Sequence, residues 1–253
     1  MSPRARVDLD TTRERLEHAG LVHAAVRLEE LLSTSNQSKE APHRFLDRLL
    51  DAELGEREER RIKTSLRLSG LPTGQTLGNF DFAFQPSVEK SRIETLATCS
   101  WIRERATVLI QGPPGTGKTH LGVALGVKAV ENGFSVAFYR LDDLLHSMRQ
   151  DAEVSPQRLR RKKYLSVAML IIDEVGFQPM NRQEASLFFR MISYRYQKGS
   201  TLITTNKAVK DWPEILADEA MAAATLDRLL HKSHVFNIKG RSYRLRDLEQ
   251  LLK

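Results

Sequence analysis

The chain has 253 residues, with 39 Lys+Arg against 32 Asp+Glu and a formal net charge of +7. Its length allows one large domain or a small and a medium one, and 41% hydrophobic residues suffice for a buried core. A single cysteine, Cys99, rules out an internal disulfide, and the longest apolar run (residues 167–172) is far short of the roughly 20 residues of a membrane span. The basic N-terminus is not followed by the apolar core of a secretory signal, so a soluble, cytoplasmic protein without a membrane partner is expected.

Residues 1–70 hold 13 basic and 13 acidic side chains, so the whole excess of +7 falls on residues 71–253. Residues 10–68 read as helices. Leu16, Ala19, Leu21, Ala24, Leu28, Leu31 and Leu32 recur at three- and four-residue spacing, as one apolar stripe. The polar run 33–39 predicts a break, and Pro42 suits the first turn of a second helix carrying Phe45, Leu46, Leu49, Leu50 and Leu54. The mixed-sign run 56–63 predicts a solvated helix face. Three glycines and a proline in 69–79 mark a linker, which divides the chain into a helical part, 1–68, and a second part, 69–253.

Beyond residue 105, short apolar runs at 108–110, 136–139, 168–172, 202–204 and 235–238 alternate with helix-length segments. Such alternation predicts βαβ units and an α/β fold, with a parallel sheet sandwiched by helices. Directly after the first run comes Gly112-Pro113-Pro114-Gly115-Thr116-Gly117-Lys118-Thr119, a complete G-x-x-x-x-G-K-[ST] motif opening a helix. The glycines let the loop curl so that backbone N–H groups face phosphate oxygens, and the helix N-terminus adds its positive end. Lys118 is placed to reach the β- and γ-phosphates of ATP, and the Thr119 hydroxyl to ligate Mg²⁺.

Arg158, Arg160, Arg161, Lys162 and Lys163 place five cations within six residues, a density suited to contacts with a DNA phosphate backbone. Asp142, Asp143, Asp151 and Glu153 could instead balance them as a solvated face. The apolar run 168–172 then ends in Asp173-Glu174. Ligands bind at the carboxyl ends of central parallel strands, so Asp173 is the candidate Mg²⁺ ligand. Glu174 is the candidate base for the water that attacks the γ-phosphate. Asn206, at the end of the next strand, could orient that water. No zinc or helix-turn-helix pattern occurs, so base-specific reading of DNA is not expected.

The runs GKTHL, AMLIIDEVGF, LITTNK, DRLLHKSHVFNIKGRSYRL and NFDFAFQPSV together resemble IstB-type ATPases, the transposition helpers of insertion sequences. Their relatives are DnaC-type helicase loaders, in the initiator clade of AAA+ ATPases. The resemblance runs from about residue 66 to 248 and implies a P-loop AAA+ domain preceded by a small all-α, partner-binding domain. It further implies a homo-oligomer with ATP at subunit interfaces, Arg228 as an arginine supplied to a neighbour, and Arg244 as a nucleotide sensor in cis. His120 matches the family's GKTH, and Phe80 and Phe82 fall where adenine contacts are implied or where the linker is tied to the core. The region of 158–163 is implied to face a DNA channel. The partner implied is a transposase. A replicative helicase loader, or a nucleotide-gated adaptor with negligible hydrolysis, are the other readings of the same motifs.

Overall fold

In the computed structural model, which describes residues 8–216 and 218–246, the helical part opens with α1 (Leu9–His18). The Asp8 carboxylate caps it by accepting from the Thr11 N–H at 2.7 Å. Gly20, at φ +77°, closes α1, and its N–H and that of Leu21 donate to the carbonyls of Glu17 and Leu16. Helix α2 (Val22–Ser38) runs through most of the polar segment, so the break expected at 33–39 comes at its end, where Lys39 takes φ +49° before Pro42 opens the next helix, and Gly20 is a further break. Thr34 and Ser38 donate their hydroxyls to the carbonyls of Glu30 and Thr34, which keeps a serine- and threonine-rich stretch helical.

Helix α3 (Pro42–Ser69) follows, and the division into two compact units falls inside it, between Thr64 and Ser65. Ala24, Leu28, Leu31 and Leu49 form the core of the first unit, with Leu16, Leu21, Leu32 and Phe45 packed on it. Leu46, Leu50 and Leu54 do not join that core and stay exposed. They lie four residues apart, on a stripe beside the one that carries Leu49. Glu53 is buried at 2% and its carboxylate accepts the N–H groups of His23 and Ala24, at 2.7 and 2.9 Å, and Arg57 Nε at 2.6 Å. It thus satisfies donors left open at the start of α2.

In the second unit, α4 (Lys90–Ala97) and α5 (Ser100–Arg103) lead to β1 (Thr107–Gln111), and α6 (Lys118–Glu131) leads to β2 (Val136–Arg140). Three helices, α7 (Leu141–Gln150), α8 (Pro156–Leu159) and α9 (Lys163–Ser166), precede β3 (Met169–Val175). Then come α10 (Arg182–Arg195), β4 (Ser200–Thr205), α11 (Trp212–Leu216), α12 (Glu219–Leu230) and β5 (Ser233–Asn237). The strands pair in the order β2-β3-β4-β1-β5, and every pair is parallel. On one face, Leu109, Leu170, Ile172 and Ile203 pack with Leu144, Phe188, Met191 and Trp212 from the helices. On the other lies α6, where Gly122 and Gly126 give room to Leu202, Ile171 and Leu71. The sheet is sandwiched by helices, as expected.

Two boundaries differ from the sequence expectation. Strand β3 runs on through Asp173 and Glu174 to Val175, with a register shift against β4 between Ile172 and Val175. The segment expected as a linker, from residue 70 on, is held in place: the Asn79 amide donates to the Gly74 carbonyl, and Leu71 reaches α6.

Candidate nucleotide site

All strands of a parallel sheet end on one edge, and here that edge gathers the motif residues. Gly115 and Gly117 sit at φ +76° and +89°, conformations that a side chain would strain. A Cβ on Gly115 would also overlap Ser242, and one on Gly117 would come within 2.7 Å of Phe80. The loop is braced at its root by Pro113, whose carbonyl accepts Thr116 Oγ1 at 2.8 Å and Lys118 Nζ at 2.7 Å. Gly112 packs on the Ile238 carbonyl at the same root. Burial lowers the Lys118 ammonium below the ordinary lysine range; Asp173 and Glu174 oppose this and Arg244 adds to it.

Asp173 is 2% exposed and accepts the Thr119 hydroxyl on both oxygens, at 2.9 and 3.0 Å. It also accepts the hydroxyl of Thr204, which in turn accepts the Glu174 N–H at 3.1 Å. Glu174 takes φ +63°, so the backbone turns at this residue while its neighbour stays anchored. Its carboxylate stands half-exposed, 3.8 Å from Arg140 Nε. Thr119 and Asp173 offer only oxygen donors, the chemistry that suits Mg²⁺ together with phosphate oxygens.

A cavity of about 490 Å³ opens above the loop, lined by Pro114, Gly115, Thr116, Gly117, Lys118, Thr119, His120, Asp173, Glu174, Asn206 and Arg244. Its other wall is Pro72, Gln75, Phe80 and Phe138, a more apolar surface. His120 Nε2 lies 2.8 Å from the Thr76 carbonyl and 2.9 Å from Asn79 Oδ1, and its ring meets Phe80 edge-on at 5.3 Å. Phe80 also meets Phe82 edge-on, at 4.8 Å.

Arg244 reaches the cavity from the 3-10 turn Tyr243–Leu245, because the Tyr243 N–H donates to the Gly115 carbonyl at 2.8 Å. The fully buried Gln85 amide holds the Arg241 carbonyl at 3.1 Å, and Ser87 bonds both polar backbone groups of Lys239. Arg246 turns to Asp81 instead.

The other named residues lie elsewhere. Arg228 does not line this cavity; it donates to the Ala224 carbonyl at 2.7 Å and stacks over Phe189 at 5.0 Å. Arg158, Arg160 and Arg161 are exposed. Lys162 pairs with Asp151 at 2.6 Å, and Lys163 donates to the Leu68 carbonyl at 3.0 Å. Sequence reasoning did not single out Thr204, Arg140 or Phe177 as cavity residues. Thr204 and Arg140 stand at or near strand ends on the ligand-binding edge, which was the available signal. Among the described residues, no helix is long and apolar enough to cross a membrane.

A family model described as IstB-like ATP binding protein matches residues 11–250. The chain is 41% identical over 233 residues to the IS21 insertion-sequence protein of Pseudomonas aeruginosa, covering 92% of this chain and 88% of that one. It is 38% identical over 242 residues to the IS5376 counterpart of Geobacillus stearothermophilus, covering 93% and 95%. Its fold is similar to that of the replication initiator DnaA bound to AMPPCP and single-stranded DNA, with a TM-score of 0.53 and 20% identity. That match covers 72% of this chain and 56%, a little over half, of the DnaA chain. The α/β architecture is thus similar to that of DnaA.

Proposed function

Because the chain belongs to the family of IstB-like ATP-binding proteins of insertion sequences, we propose that it is an ATP-hydrolysing AAA+ regulator that grips DNA and assists a partner transposase in the cytoplasm. The observation that carries the hydrolytic reading is the bond of Thr119 to the buried Asp173 at the foot of the cradle, with Glu174 turned out beside it. Backbone N–H groups of residues 115–119 and Lys118 bind the triphosphate, and Phe80, Phe138 and His120 flank the base. Thr119 and Asp173 would hold Mg²⁺, which spreads phosphate charge when bound.

Asn206 orients the attacking water, and the Glu174 carboxylate accepts its proton as the new P–O bond forms. The bond between the γ-phosphorus and the bridging oxygen breaks, and ADP leaves. Lys118 and Arg244 meet the charge on the transferring group from the same chain. Arg228 meets it from a neighbouring copy, its planar fork suited to that charge, and the protein works as a homo-oligomer. Arg158, Arg160 and Arg161, with Lys162 and Lys163 beside them, contact DNA phosphates. The helical part, residues 1–68, holds the transposase; the exposed Leu46, Leu50 and Leu54 support that role.

Glu174→Gln should bind ATP as the native protein does and hydrolyse it about 100-fold or more slowly. Lys118→Ala should lose ATP binding altogether. Equilibrium binding of a fluorescent ATP analogue and phosphate release measure the two effects. Native hydrolysis by Glu174→Gln would remove the assigned base.

A further inference from the structure

Parallel pairing also puts the starts of β3, β4, β1 and β5 on one edge, opposite the nucleotide cavity. The segments leading into those strands are rich in cations: 158–163 before β3, Arg195 and Lys198 before β4, Arg103 and Arg105 before β1, Lys232 before β5. A cavity of about 370 Å³ opens there, lined by Arg103, Arg105, Arg195, Arg228, His231 and Lys232. Glu104 is the one carboxylate among its described lining residues.

Arg195 sets this cavity apart. It is 1% exposed, and among the described residues no carboxylate pairs with it. Its guanidinium donates to the carbonyls of Tyr164, Leu165, Val167 and Ser200 and to the Thr201 hydroxyl. Burial lowers its pKa to about 10, so it stays charged at neutral pH. Buried charges are normally paired; this one is met only by dipoles, at the wall of a cavity already rich in positive charge. Such a concavity concentrates anions. Three of the carbonyls that hold Arg195 belong to residues 164–167, directly after Lys162 and Lys163, so the cavity and the exposed basic segment are tied together.

We infer that this edge of the sheet, cavity included, is a phosphate-binding face that continues the grip of 158–163 along a nucleic-acid backbone. The inference rests on the DNA-binding reading above. The same phosphate chemistry could be offered by a neighbouring copy's nucleotide, because Arg228 shares the wall. The experiment separates the two sources and leaves Arg228 intact.

The full-length variant Arg103→Ala/Arg105→Ala/Lys232→Ala is titrated with a labelled random-sequence duplex, without nucleotide, across a salt series. ATP binding and hydrolysis are measured in parallel. The face predicts binding weaker by about tenfold or more, and a slope of log K against log salt shallower by about 0.9 for each phosphate that is no longer neutralised. ATP binding and the melting temperature stay native. Should the triple variant melt lower, Lys232→Ala alone, at an exposed side chain, should still flatten the slope by about 0.9. Native duplex affinity and salt slope in both variants would confine the grip to 158–163 and overturn the inference. Abolished hydrolysis with unchanged duplex binding would assign the cavity to the neighbour's nucleotide and overturn it as well. A native protein with no affinity for the duplex would overturn the DNA-binding reading together with this extension.

Discussion

Gly115 shows how much one position can carry. Its left-handed backbone costs another residue about 1–2 kcal/mol, and its missing side chain leaves the space that Ser242 fills. Gly115→Ala should therefore weaken ATP binding by about tenfold or more while the protein remains folded, as calorimetry and a thermal melt would show. The loop was legible because its residue types follow from phosphate chemistry alone. The Glu174 turn and the Thr204 hydroxyl that supports it were not legible. Both depend on the register shift between β3 and β4, a relation between residues some thirty positions apart. Arg241 and Arg246 stand close to Arg244 in sequence, and the pairing of Tyr243 with Gly115 is what brings Arg244 to the cavity.

At the scale of elements, helices and strands of the second unit followed from apolar patterning, but the helical part shows where patterning misleads. Serines and threonines at 33–38 read as a break, yet the hydroxyls of Thr34 and Ser38 return to helix carbonyls and the turn waits until Lys39, while Gly20 adds a break that patterning did not predict. The cap that Glu53 gives to α2 has a pH signature. Burial works to raise its pKa, but the Ala24 N–H, Arg57 and the His23 N–H together hold the carboxyl below its ordinary value. A carboxylate lowered on folding stabilises above its unfolded pKa, roughly 4.3, and loses that contribution as pH falls through the folded value. Circular dichroism melts of the full chain from pH 3 to 7 should show a loss of helix stability in acid. Glu53→Gln should lower stability at neutral pH and remove that part of the acid dependence; an unchanged acid limb would show that Glu53 does not carry it.

For the whole molecule, alternating patterns announced a parallel sheet, but not that β1 lies between β4 and β5. That order is set by crossovers, which composition does not encode. It places Lys118, Asp173, Glu174 and Asn206 at one edge and the cation-rich segments at the other. If Arg228 serves a neighbour, Arg228→Ala and Glu174→Gln should each be inactive alone. Mixed, they should regain phosphate release wherever an intact Glu174 meets an intact Arg228; a mixture as inactive as its parts would place Arg228 outside the reaction. The closure of the cradle has a consequence in time. Gln85 bonds a carbonyl 156 positions away, and Gly115 waits for Tyr243. A ribosome therefore releases the signature loop long before the residues that close it, so the cradle is complete only once synthesis has passed Tyr243.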